Sequence, residues 1–301
     1  MNPGGPSVLS ARVVASLGDL ELAARLVVEG MRSGGHRSLQ RGFGTEFLKH
    51  RPYRPGDSLR YLDWKLLART DRLYTRQFRE TTNLTLLLVV DTSASMGFPQ
   101  PDAEEGGPTR LRYAAVLAAS LAWLASSRGD AVGLLARLGG EVIHVPPRSG
   151  QTHLRRVIAS LDGLVAEGNW APVQAIEDAA SRLKRRGIVV VLSDFYDDEE
   201  SVRGSLRRVA RRGHDVSMIQ LTSDPEMEFR FRGELEFEDA ESGRRVVTSA
   251  AVAGELVRSR IRSFHESLRE GALRDGIDHV CISTSEPPGP ALRRHLLARG
   301  R

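Results

Sequence analysis

From Leu84 onward the chain alternates short, unbroken apolar runs with longer stretches in which apolar residues recur every three or four positions. That alternation of strand and helix predicts an α/β domain on a doubly wound, mostly parallel sheet. Leu84–Val90 is apolar or β-branched throughout, so both of its faces should be buried, as in a central parallel strand. Arg110–Ser127 is apolar on most sides and predicts a helix packed between the sheet and other helices. Ala131–Arg137 and Glu141–Val145, joined by LGG, predict a hairpin. Helices are expected at Thr152–Leu161 and Ala171–Arg185, the second ended by Gly187, and Ile188–Ser193 is a second fully buried strand. Ser201–Arg211 reads as helix and His214–Leu221 as strand. Glu226–Thr248 alternates Phe229, Phe231, Leu235, Phe237 and Val246 with polar residues around SGRR, which predicts a half-exposed two-stranded insert. A long helix over Ala250–Asp275, a strand at His279–Ser283 and a helix at Pro290–Arg299 complete the pattern.

Upstream, residues 18–31 place Leu20, Leu22, Ala23, Leu26, Val27 and Met31 on one side of an amphipathic helix, with Asp19 as its N-cap. Between Ser33 and Thr82 the periodicity is lost; glycines, arginines and aromatics alternate, and RPYRPGD signals a turn. The expectation is a first unit over residues 1–82, a helix plus a small annex of strands and loops, and an α/β domain over residues 83–301.

Composition changes this picture little. Hydrophobic residues make up 41% of the chain and charged residues 27%, which is ordinary for a folded globular protein. No apolar run is long enough for a spanning helix, and MNPGGPSVLSARVV lacks a basic start and an apolar signal core, so a cytoplasmic location is expected. The only cysteine, Cys281, reads as a buried strand residue. The formal net charge is +5, and its excess belongs to the first 80 residues, but no helix-turn-helix, zinc-knuckle or RNP signature accompanies it. Nucleic acid is therefore not the expected partner.

The candidate chemistry begins where the first buried strand ends, in DTSASMG. Asp91, Ser93 and Ser95, one residue apart, can turn a carboxylate and two hydroxyls toward one point, a set of hard oxygen donors for Mg²⁺ or Mn²⁺. The bland alternative is a turn whose side chains cap a helix. Asp194 ends the second buried strand, IVVVLSD, so parallel pairing would bring it to the edge that holds Asp91. Two carboxylates there repel unless a positive charge lies between them. Thr152, in a glycine-containing loop that opens a helix, offers a third hydroxyl.

The ordered set Asp91, Ser93, Ser95, Thr152 and Asp194 resembles the metal-ion-dependent adhesion site of von Willebrand factor A domains, over roughly residues 84–300. The resemblance implies direct or near-direct metal contacts from the serines and threonine, aspartates acting through water, and an open position filled by an acidic residue of a partner. Mg²⁺ is the implied ion, with Mn²⁺ or Ca²⁺ as substitutes. The annex string GTEFLKHRPYRPGDSLRYLDWKLLARTDRLYTRQFRETTN is similar to the segment preceding the A-like domain in the bacterial DUF58 family. That second resemblance implies an adaptor or chaperone-like partner of a MoxR-type AAA+ ATPase; the site itself, two serines and a threonine where a hydrolase would need an evident general base or nucleophile pair, points away from an enzyme.

Other groups carry weaker signals. Asp57, Asp63 and Asp71 are interleaved with Arg51, Arg54, Arg60, Arg69 and Arg72, a pattern better suited to structural ion pairs than to catalysis. Asp197, Asp198, Glu199 and Glu200 read as the acidic first turn of a helix, and His153 as a surface or capping residue. No H-E-x-x-H motif, Walker-type loop or nucleophile elbow is present. A Mg²⁺-dependent hydrolase of phosphate esters or peptides is the alternative function, because aspartates at strand ends also serve phosphoryl transfer.

Overall fold

A computed structural model describes residues 10–33, 45–53, 62–80, 84–99, 107–169, 173–183, 186–196, 199–229, 231–238 and 245–298. Helices α1 (Ala11–Ser16) and α2 (Leu20–Ser33) open the chain. Strand β1 (Thr45–Pro52), helix α3 (Trp64–Thr70) and strand β2 (Tyr74–Glu80) follow, with β1 and β2 paired antiparallel. The α/β body then runs through β3 (Thr85–Val90), α4 (Arg110–Ser127), β4 (Ala131–Leu138), β5 (Glu141–Arg148), α5 (Gln151–Asp162), α6 (Val173–Ser181), β6 (Ile188–Ser193), α7 (Glu199–Arg211) and β7 (Asp215–Thr222). Helix α8 (Asp224–Glu228), the hairpin β8 (Glu234–Glu238) and β9 (Arg245–Ser249), helix α9 (Ala250–Arg274), β10 (Asp278–Ser283) and α10 (Pro288–Ala298) complete it. Among the described residues, no helix is long and apolar enough to cross a membrane.

The central sheet has the order β10-β7-β6-β3-β4-β5, and all its neighbours are parallel except β4 and β5. The unbroken apolar run of β3 is explained by its place in the middle. Leu86, Leu88 and Val90 enter the core formed with α1, α2, α4, α5 and α10, whereas Leu87 and Val89 enter the opposite core with α6, α7 and α9. Helix α4 is buried on almost every side because it lies between the sheet and both α2 and α5. The chain leaves β3 through α4 toward β4 and leaves β6 through α7 toward β7, on the opposite face. The strand order therefore reverses between β3 and β6, the position at whose carboxyl ends open α/β sheets place their ligand sites.

Several sequence-based expectations need correction. Leu22 is exposed although it was placed on the buried side of α2; two residues from Leu20 is over half a turn away, and Ala24 and Val28 fill that face instead. Asp19 does cap the helix, accepting from the Leu22 N–H at 3.0 Å. The annex contains a helix, α3, started by Asp63 accepting from the Leu66 N–H at 3.0 Å and ended at Asp71 with φ 51°. Asp63 also meets His50, a residue outside the set of interleaved arginines, at 2.9 Å; Arg54, Asp57 and Arg60 lie outside the described residues, as do Asp197 and Asp198. Residues 226–229 are not part of a strand: Asp224–Glu228 forms α8, and Phe229, at φ 45°, turns in to stack with Phe237 and meet Phe231 edge-on. Cys281 is exposed, because β10 is an edge strand and its outward positions are uncovered.

Candidate metal centre

Strands β3 and β6 pair in parallel with Val90 opposite Leu192, and the Asp91 N–H donates to the Leu192 carbonyl at 3.0 Å. Asp91 and Asp194 are thus brought to one edge, both only 1% exposed. One Asp91 oxygen accepts from the Ser93 N–H at 2.8 Å, and the other accepts from the Ser193 hydroxyl. Ser193 in turn accepts from the Phe195 N–H at 2.8 Å, which ties the two strand ends together; Phe195 holds φ 61° there. After Asp91 the chain makes a short 3₁₀ turn over Ala94–Gly97, which brings the Ser93 and Ser95 hydroxyls to 3.0 Å of each other. Burial first, and the facing Asp194 second, push the Asp91 carboxyl up to about 7.

A positive charge does lie at this edge, and it belongs to the protein. Arg110, the first residue of α4, is 2% exposed. Its guanidinium donates to Asp194 at 2.9 Å and to the Ser95 carbonyl at 3.2 Å, and its other terminal nitrogen donates to Glu226 of α8. The rings of Phe98 and Tyr196 flank it, with centroids 5.3 and 5.5 Å away. Its Nε has no hydrogen-bond partner among the described residues. The remaining Asp194 oxygen accepts from the Tyr196 N–H at 3.2 Å, and burial followed by the facing Glu226 pushes the Tyr196 phenol up. Arg110 went unnoticed in the sequence because an arginine opening an apolar helix looks like an ordinary surface residue. The only available signal was the missing countercharge for two aspartates predicted to share an edge.

Thr152 is not part of this constellation, which corrects the sequence-based ligand set. Strand β5 runs antiparallel to β4, so its end at Arg148 pairs with Val132 near the start of β4. Helix α5 begins there, and His153 Nε2 lies 2.8 Å from the Val132 carbonyl, an orienting contact with backbone. Since Val132 is level with Leu86 and Asp91 follows Val90, the two positions are roughly 15 Å apart along the strands. The segment that does reach the DTSAS loop is the one after α5. The Glu167 N–H donates to the Thr92 carbonyl and the Ala94 N–H to the Gly168 carbonyl, each at 2.9 Å. This segment, LVAEGN, offers a carboxylate and an amide but no hydroxyl, and Glu167 is engaged by the Gly139 N–H.

The donor chemistry of Asp91, Ser93 and Ser95 fits a small hard cation: a carboxylate and two hydroxyl oxygens on one loop, beside a second buried carboxylate. Asp194 is already charge-paired by Arg110, while among the described residues Asp91 has only neutral donors. Among the described residues no cluster of three histidine, cysteine or carboxylate side chains offers an alternative metal site.

The sequence model of a family described as "Protein of unknown function DUF58" matches residues 49–270. The uncharacterized protein Rv1480 of Mycobacterium tuberculosis is 33% identical over 235 residues, covering 77% of this chain and 72% of that protein. An uncharacterized protein of Mycobacterium bovis matches to the same extent. Among solved structures, the conserved hypothetical protein BatB from Bacteroides thetaiotaomicron shares 17% identity at a TM-score of 0.47, covering 72% of this chain and 98% of that one. An aerotolerance-related membrane protein from Bacteroides fragilis shares 18% at 0.46, covering 71% and 99%. The VWA domain of SpRpn10 shares 14% at 0.38, covering 72% and 94%.

Proposed function

The chain belongs to the DUF58 family, and from that premise we propose that it is a non-enzymatic interaction module that binds an acidic residue of a partner protein at the β3–β6 edge with the help of Mg²⁺. One observation carries the reading. Asp91 is enclosed at a strand switch point beside two convergent serine hydroxyls, and among the described residues it has no cationic partner like that of Asp194. Asp91, Ser93 and Ser95 would hold the ion, which would supply a positive charge for a carboxylate. Mn²⁺ or Ca²⁺ could take its place.

The remaining residues of the site have holding roles. Ser193 and the Ser93 amide fix the Asp91 carboxylate, so its direction is set before any ligand arrives. Arg110 fixes Asp194 and the Ser95 carbonyl, which anchors the turn carrying both hydroxyls. Both aspartates already accept two hydrogen bonds, which fix the direction of each carboxylate. The partner proposed is a MoxR-type AAA+ ATPase in the cytoplasm, on the strength of the annex resemblance.

The test has two arms. In calorimetric titrations with Mg²⁺ and Mn²⁺, the native chain should bind one ion, and Asp91→Ala or the paired Ser93→Ala and Ser95→Ala change should weaken binding by roughly tenfold or more. A native chain that binds neither ion, or an Asp91→Ala chain that binds them equally well, overturns the metal site. Co-purification with the ATPase, compared in Mg²⁺ and in EDTA, tests the partner separately.

A further inference from the structure

The ion pair between Arg110 and Glu226 spans 116 residues of sequence and joins α4 to α8 across the mouth of the site. Its two members are unequally enclosed: the Arg110 side chain is 2% exposed and that of Glu226 is 18% exposed. Glu226 therefore forms the outer wall of the arginine's enclosure. The pairing is also incomplete. A guanidinium offers the Nε and one terminal nitrogen as a fork that matches the two oxygens of a carboxylate. Here Asp194 and the Ser95 carbonyl take one terminal nitrogen, Glu226 takes the other, and Nε is left buried without a partner. Leaving such a buried donor unmet is unfavourable. Helix α8 is a poor base from which to improve the contact. It is five residues long, buries none of them, and its N-cap residue Ser223 makes no side-chain capping bond and has a buried, unpartnered hydroxyl.

We propose that the outer edge of Arg110, its Nε and one terminal nitrogen, is a carboxylate-binding subsite for an acidic peptide, and that Glu226 is the chain's own occupant of it. This rests on reading the β3–β6 edge as a carboxylate-binding surface and adds a second recognition point, independent of any metal ion. An incoming glutamate or aspartate, free to align both oxygens with the fork, satisfies Nε and displaces the Glu226 side chain outward into solvent. The Phe98 and Tyr196 rings, 5.3 and 5.5 Å from the guanidinium carbon, flank it. The fitting partner is one that presents at least two acidic side chains close together, one for each recognition point.

The experiment uses the full chain and a fluorescein-labelled hexaglutamate peptide, read by fluorescence anisotropy in EDTA, with hexaglutamine as the uncharged control. Glu226→Ala should bind hexaglutamate roughly tenfold more tightly than the native chain, since the internal competitor is gone. Adding Arg110→Lys, which keeps the charge beside Asp194 but removes the fork, should abolish that gain. Glu226→Asp, one methylene shorter, should give an intermediate gain and serves in place of Glu226→Ala if that chain does not melt cooperatively. Equal affinity of the native and Glu226-substituted chains, no binding by any of them, or a gain that survives Arg110→Lys overturns the subsite. Because these measurements exclude divalent ions, they stand or fall separately from the Mg²⁺ titrations.

Discussion

Asp91 lies where two effects that disfavour its charge coincide, enclosure and the neighbouring Asp194, and the hydrogen bonds from Ser193 and Ser93 only partly offset them. Its folded value of about 7 stands above the 3.8 of an unperturbed aspartate. The folded chain therefore holds a proton that the unfolded chain releases. The resulting stabilisation is complete below the unfolded value and is lost as pH rises through about 7. In EDTA, the melting temperature should fall between pH 6 and pH 8, and Asp91→Asn should flatten that slope and melt higher than the native chain at pH 8. A native slope no steeper than that of Asp91→Asn would refute the assignment. Saturating Mg²⁺ should recover most of the loss at pH 8 in the native chain and none in Asp91→Asn, because a bound cation supplies the countercharge that the proton supplies at low pH.

At the scale of elements, β4 and β5 show how closely the strands approach. Their register shifts between Val132 and Leu134, and a methyl group on the intervening Gly133 would meet the Pro147 ring at 2.7 Å and its backbone nitrogen at 3.0 Å. Gly133→Ala should destabilise the fold by about 1–3 kcal/mol in urea titrations, through overpacking that the proline cannot relieve. The same hairpin explains the misplaced threonine. An antiparallel β5 was readable from the LGG turn, and it already obliged the following helix to start at the far edge of the sheet; the helix-opening glycine near Thr152 was the more conspicuous signal. By contrast, β3, β6 and α4 were readable almost to the residue, since burial on all sides leaves an uninterrupted apolar run. Helix α8 was not readable, because alternation across EMEFRF imitates a strand and a five-residue helix is too short to show its own period.

At the scale of the whole molecule, the N-terminal helix is part of the main body. Leu20, Ala23, Ala24, Val27 and Met31 of α2 share one apolar core with the sheet, α4 and α10. Val27→Asp should therefore cost roughly 3 kcal/mol or more and broaden the melting of the entire α/β body, as a buried charge without a partner does. A local effect that left the main transition unchanged would show that α2 is dispensable to that core. The aspartates and serines of the edge were visible in the sequence because each is local to one strand end. Arg110 and Glu226 were not, since their meeting depends on how α4 and α8 converge over the sheet.

The single cysteine has a practical consequence. Cys281 is exposed on β10, with its sulfur 3.8 Å from His265 Nδ1; the other nitrogen of that ring is 3.4 Å from the Tyr196 hydroxyl, and Tyr196 flanks Arg110. The native chain can thus carry one nitroxide or one environment-sensitive dye, at a known address, without engineering. A label there would sit one imidazole and one phenol away from the guanidinium, close enough for its spectrum to register whether the edge is empty or engaged.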